Sequence, residues 1–134
     1  MDEALTATVR EAMPLAAHLG VEGVEASPER VVLRGGWAPE HCTAAGILHG
    51  GYVMTLADMT AAMLAYLNVP AAGGTTTTIE AKTNFLAAVR SGAVTASAEL
   101  VHKGRRTIVL QVDTTDDAGR HVARTLQTQA VIED

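Results

Sequence analysis

One acidic side chain, Asp58, stands in the middle of the apolar stretch His49 to Leu67, HGGYVMTLADMTAAMLAYL, which holds no Lys or Arg to neutralise it. A carboxylate placed there has either a structural excuse, such as a bond to Thr55 or Thr60 or an outlet to solvent, or a chemical task, because a buried charge is costly unless paired. The stretch opens with His49-Gly50-Gly51, so the first N–H groups of a helix would be uncovered by side chains and would carry the positive end of its dipole. Such an end accommodates an anion, or the oxyanion of a carbonyl under attack. A carboxylate and an oxyanion site form a hydrolytic pair if both meet one carbonyl. Within a single helix they do not: eight residues at about 1.5 Å of rise put Gly50 and Asp58 roughly 12 Å apart along the axis. Two helices running antiparallel across a two-fold axis bring residue 50 of one to residue 58 of the other, and do so twice. The spacing therefore predicts a homodimer with shared active sites.

The elements that must hold these groups follow from periodicity. Leu5, Val9, Ala12, Met13 and Ala16 recur at helical intervals over residues 2–19, with Asp2 as cap and a break at Pro14. VEGVEAS and RVVLRGG flank the turn Ser27-Pro28-Glu29 and read as a hairpin, and WAPEHCTAAGIL reads as a loop. The helix from Gly50 to Leu67 is apolar on nearly every side, so it must be surrounded and not merely docked. Four strand-like runs follow, Thr75 to Ala88, Ala93 to His102, Arg105 to Thr115 and Arg120 to Glu133, separated by short turns that favour antiparallel neighbours in a meander. The expectation is an α+β domain over residues 1–134, a central helix wrapped by one curved antiparallel sheet, with an N-terminal helix and a dimer partner covering what the sheet leaves open.

Composition narrows the function classes. With 134 residues, 48% hydrophobic and 19% charged, the chain is globular, and at 3% aromatic its core must be aliphatic. A net charge of -5 opposes nucleic-acid binding, which needs a Lys/Arg excess. The most apolar run, Tyr52 to Leu67, is too short and too polar for a bilayer. The lone Cys42 forms no internal disulfide and the N-terminal residues have no leader pattern, so a cytoplasmic location is expected.

The pattern G-x-x-H-G-G-x-x-x-x-L-A-D formed by Gly46, His49, Gly50, Gly51, Leu56, Ala57 and Asp58, followed by Thr78-Ile-Glu-Ala-Lys-Thr-Asn84-Phe85-Leu86, resembles the PaaI-like branch of the hotdog-fold acyl-CoA thioesterases from about Ala38 to Val131. The resemblance implies that Asp58 attacks the thioester carbonyl or activates a water to do so, and that the Gly50 N–H of the partner subunit polarises its oxygen. It implies that His49 orients the loop or the substrate; a histidine bonded to backbone at a helix cap is the plain alternative. Thr78 would hydrogen-bond the base from the partner chain, unless it is an ordinary strand threonine. At Thr43 the sequence departs from the pattern, since relatives carry an amide side chain there and a hydroxyl cannot span the same gap.

An acyl-CoA substrate also has phosphates to place. Arg90, Lys103, Arg105 and Arg106, in turns, are candidates for the nucleotide end, against the plain reading as solvated surface. Gly51 and Met54 are candidate substrate contacts, and Met54, Met59 and Met63 together read as deformable helix packing or as lining of the acyl pocket. No histidine or cysteine spacing suits a metal, and no cofactor is implied. The expected assembly is a homodimer, paired into a homotetramer. Two other readings remain open at this stage. One is a hotdog enoyl-CoA hydratase or dehydratase, whose catalytic pair is spaced differently. The other is a non-catalytic acyl-CoA-binding protein, against which the buried carboxylate argues.

Overall fold

Asp2 caps the first helix, its Oδ1 accepting from the Leu5 N–H at 2.9 Å in the computed structural model, which describes residues 1–70 and 73–133. Helix α1 (Glu3–Ala12) ends at Met13, which is extended because the ring of Pro14 excludes it from a helical conformation. Pro14 then opens α2 (Pro14–Leu19) at a first-turn position where its missing N–H costs nothing. The break falls where the sequence places it.

Strands β1 (Glu22–Ala26) and β2 (Arg30–Gly36) form the expected hairpin. The following loop contains a 3-10 turn at Pro39–His41 and delivers the chain to α3 (Gly50–Tyr66). Strands β3 (Gly74–Phe85), β4 (Ala93–Lys103), β5 (Thr107–Asp116) and β6 (His121–Glu133) complete a six-stranded sheet in which every pairing is antiparallel. This is the α+β hotdog architecture: α3 lies on the sheet and touches β2, β3, β4, β5 and β6. Ala57, Ala61 and Ala65, a stripe of small residues at four-residue spacing, are fully buried, as are Ala96 and Ala98 of β4. Small side chains on both surfaces let the helix approach the sheet, while Leu33, Leu56, Leu64 and Leu110 fill the space around them.

The strand order is β1-β2-β4-β5-β6-β3, which corrects the expected meander. β3 is not beside β4. Between β2 and β3 the chain crosses the whole sheet as α3, so β3 adds at the far edge, beside β6. The segment Leu86–Gly92 then carries the chain back, held by backbone bonds from Leu86 N to Val122 O at 2.8 Å and from Leu48 N to Val89 O at 2.9 Å. Arg90-Ser91-Gly92 is thus the end of a crossover and not a hairpin turn. Among the described residues no strand pairs with the outer edge of β3. No helix among the described residues is long and apolar enough to cross a membrane.

Candidate active site

Asp58 is half-buried on the part of α3 that faces β3 and β6. Its local alternatives are occupied: Thr55 Oγ1 donates to Gly51 O at 2.8 Å and Thr60 Oγ1 to Leu56 O at 2.6 Å, each one helical turn back. The carboxylate is held from the sheet instead. Thr78 Oγ1 on β3 donates to Asp58 Oδ1 at 2.8 Å, and Gln127 Nε2 on β6 donates to the same oxygen. Gln127 Nε2 also reaches Thr78 Oγ1 at 3.0 Å, and Gln129 Nε2 reaches it at 2.6 Å. The Thr78–Asp58 bond, expected between chains, closes within one. No cation among the described residues forms an ion pair with Asp58.

Gln127 and Gln129 are missing from the sequence expectation, although both are fully buried. The signal for them is the phase of β6. Alternation puts the apolar Leu126 and Ile132 on one face and the two amides on the other, yet Leu126 and Ile132 are exposed and the amides point inward. A strand that turns its polar face to the core is advertising a buried polar network.

The other end of the site is the start of α3. His49 is the N-cap, its Nδ1 accepting from Gly51 N at 2.8 Å, which leaves Nε2 to carry the proton of the neutral ring. His49 O takes the N–H groups of Tyr52 at 2.9 Å and Val53 at 3.2 Å. Of the four first-turn donors, only the Gly50 N–H has no acceptor among the described residues. The Gly51 amide, offered by the sequence as a substrate contact, is already engaged by His49. A Cβ on Gly50 would lie 3.0 Å from Phe85 Cζ, so glycine lets that ring close over the amide end. Gly50, Ile47, Val53, Phe85, Val89 and Val122 wall an apolar cavity of about 450 Å³. Thr43 heads the preceding turn, where its N–H bonds Ile47 O at 2.8 Å, and so belongs to this end.

Behind the amide end, His41 stacks on Tyr52 with ring centroids 4.5 Å apart, and its Nδ1 donates to Gly36 O at 2.9 Å. Burial pushes the Tyr52 phenol up from its ordinary range, and a Cβ on Gly35 would sit 2.3 Å from its hydroxyl, so glycine is required there. This packing fixes the loop that presents His49, since His49 N donates to His41 O at 2.9 Å.

In one chain, then, Thr43, His49 and Gly50 stand at one end of α3 and Asp58 with Thr78 more than two turns along it. Met54, half-buried, is one turn before Asp58 and Ala62 one turn after. From Ala62 onward the helix borders an apolar cleft of about 670 Å³, shared by Met63, Tyr66, Val9, Met13 and Thr76. The four candidate cations do not assemble. Arg90 adjoins the Gly50 cavity, whereas Lys103, Arg105 and Arg106 are at the opposite end of β4, about 30 Å away at strand rise, near Leu67 and Val131. Among the described residues none of the four has an ion-pair partner, and no group of three or more His, Cys, Asp or Glu could hold a metal ion.

Residues 45–123 match the family model described as the thioesterase superfamily, a span that includes both the Gly50 amide and Asp58. A candidate esterase of Mycobacterium tuberculosis is 32% identical over 114 residues, 84% of this chain and 81% of the relative. A candidate esterase of Bacillus subtilis is 35% identical over 116 residues, 85% of this chain and 90% of the relative. Among solved structures, a glutamine-to-alanine variant of a Pseudomonas aeruginosa thioesterase superposes with a TM-score of 0.89 at 26% identity, covering 95% of this chain and 93% of the other. A Haemophilus influenzae thioesterase gives a TM-score of 0.85 at 27% identity, covering 89% of this chain and 82% of the other.

Proposed function

The chain belongs to the thioesterase superfamily and has its hotdog fold, and on that premise we propose that it hydrolyses a small or medium acyl-CoA, phenylacetyl- and hydroxybenzoyl-type thioesters included, to the free acid and CoA. The observation that carries this reading is a carboxylate, Asp58, held by neutral donors from the sheet and with no cation paired to it among the described residues, beside the edge strand β3. A buried-face anion without a counter-ion is poised to take a proton or attack a carbon.

The site is completed by a second copy. β3 offers a 12-residue edge, with Ile79 59% exposed on it, and an open edge of that length calls for a partner strand. Two β3 edges pairing antiparallel about a two-fold axis make one continuous sheet and set the two α3 helices side by side in opposite directions. Each Asp58 then faces the Gly50 amide of the other subunit. The thioester carbonyl lies between them, its oxygen at the Gly50 N–H. Asp58 removes a proton from a water that adds to the carbonyl carbon, or adds to it directly to give an acyl anhydride on Asp58, which a water then hydrolyses to the acid and the free carboxylate. Collapse breaks the C–S bond and the thiolate leaves as CoA, taking up a proton. His49 fixes the amide end, and Thr43 has room to hold a water in place of an amide.

The acyl group occupies the cleft between α1 and α3, which Ala62 and Thr76 join to Asp58. Its volume of about 670 Å³ is in the range of small-molecule sites, about 300–1,000 Å³. From its own chain a CoA passing Gly50 meets Arg90; the Lys103–Arg106 hairpin is reached only through another chain. Leu126 and Ile132, exposed on the face of β6 away from α3, would be covered by a second dimer, which supports a tetramer.

A panel of acyl-CoA thioesters assayed for free thiol tests the reading. Thiol release is expected from at least one small or medium substrate, with Asp58→Asn lowering kcat about a hundredfold or more while the fold is kept. No release across the panel, or an Asp58→Asn protein as fast as wild type, would contradict it.

A further inference from the structure

The amide cluster behind Asp58 is arranged with a direction. Thr78 has one hydroxyl proton and receives two donors, Gln127 Nε2 at 3.0 Å and Gln129 Nε2 at 2.6 Å, so that proton goes to Asp58 Oδ1, 2.8 Å away. Gln127 Nε2 donates to the same carboxylate oxygen directly. The donors of the cluster therefore converge on Asp58 Oδ1, one directly and the others through Thr78. Both bonds end on Oδ1. Oδ2 has no partner among the described residues, which leaves one carboxylate oxygen anchored and the other available.

The cluster is costly. Gln127 Oε1 and Gln129 Oε1 are buried and receive no donor among the described residues, and both side chains are fully buried on the inner face of β6. An orphaned buried carbonyl oxygen destabilises the fold, and an apolar side chain of similar size would remove that cost. Nothing in the packing of the core asks for two amides there. What they do is bring N–H donors to a carboxylate that has no ion-pair partner among the described residues.

We propose that Gln127 is a positioning residue for the Asp58 carboxylate, with Gln129 acting one bond further back through Thr78. Gln127 fixes the carboxylate on Oδ1 and leaves Oδ2 as the reacting oxygen. The proposal rests on the assignment of Asp58 in the hydrolytic reading above. Other titratable groups on the same elements are engaged elsewhere or remote: Glu80 accepts from Thr128 at 3.0 Å, Lys82 donates to Asn84 at 2.7 Å, Arg124 and His121 donate to Asp113 at 2.9 and 3.0 Å, Tyr52 stacks on His41, Glu133 ends β6, and His49 and Tyr66 stand near the two ends of α3. On the remaining strands packed against α3, His102, Lys103 and Glu99 of β4, Arg30 and Arg34 of β2, and Asp113 and Asp116 of β5 make no bond to Asp58.

The test is Gln127→Leu, compared with wild type and Asp58→Asn for kcat, KM, pH profile and melting temperature. Losing a donor to the charged form moves the acidic limb of the kcat profile to higher pH. Expected are a kcat at least tenfold lower, a KM within about twofold of wild type, that limb displaced upward, and a melting temperature equal or higher because the orphaned oxygen is gone. Thr78→Val, which removes the second donor and the link to Gln129, should displace the limb in the same direction, and it stands in if Gln127→Leu does not fold. An unchanged kcat and limb with Asp58→Asn inactive overturns the role of Gln127 and leaves the hydrolytic reading intact. A lower kcat accompanied by a lower melting temperature and an unmoved limb also overturns it, since that is a purely structural effect. Full activity in Asp58→Asn instead removes the hydrolytic reading itself.

Discussion

The Gly50 N–H is the donor at the start of α3 that remains free among the described residues, and it can be deleted almost alone. His49, at φ -63° and ψ 137°, already has the extended conformation that a residue before proline needs, and proline is at home in the first position of a helix. Gly50→Pro thus removes the N–H with the backbone kept. Gly50→Ala keeps the N–H and sets a similar Cβ against Phe85. Steady-state thiol release should fall about 10²- to 10³-fold in Gly50→Pro, the cost of an oxyanion donor, with most of the activity retained in Gly50→Ala. Equal losses would assign the effect to the displaced Phe85 ring. The spacing of Gly50 and Asp58 could be read from the sequence because helix rise alone sets where one stands relative to the other. Gln127 and Gln129 could not be singled out in the same way, since their meaning depends on which face of β6 turns inward, and that is decided by the sheet and not by the strand.

At the scale of elements, the helix breaks, the hairpin of β1 and β2 and the extent of α3 follow from local rules: a cap at Asp2, a proline at residue 14, an unbroken apolar run after His49. The strand order did not follow, because short connections suggest neighbours, and only the passage of α3 across the sheet sends β3 to the far edge. The register of β5 on β6 is marked by Asp113, which receives Arg124 Nε at 2.9 Å and His121 Nε2 at 3.0 Å. Partial burial pushes the Asp113 carboxyl up, but the bond and charge of Arg124, then those of His121, prevail and hold it below its ordinary 3.8. With the folded value depressed, the unfolded chain binds more protons in that interval. The contribution of Asp113 is therefore complete above pH 3.8 and is lost as pH falls through the lower folded value. Being a surface cluster, it is worth less than about 1 kcal/mol. Thermal melts of wild type and Asp113→Asn should differ slightly at neutral pH and converge below the ordinary carboxyl range. A gap that widened in acid would contradict the assignment.

At the scale of the whole molecule, Gly50 and Asp58 of one chain stand too far apart to meet at one carbonyl. About 12 Å of helix lies between the amide of Gly50 and the carboxylate of Asp58, and β3 leaves its edge open beside the carboxylate. The sequence conveyed that separation but not the surface that would resolve it, since an edge strand is identified by its neighbours. Dimers assembled from one Asp58→Ala subunit and one Gly50→Pro subunit, purified by two different tags, test the shared site directly. One of their two sites inherits both lesions and the other inherits neither, so each heterodimer should show about half the wild-type kcat although both parent homodimers are inactive. Heterodimers as inactive as their parents would contradict a site built across the two-fold axis.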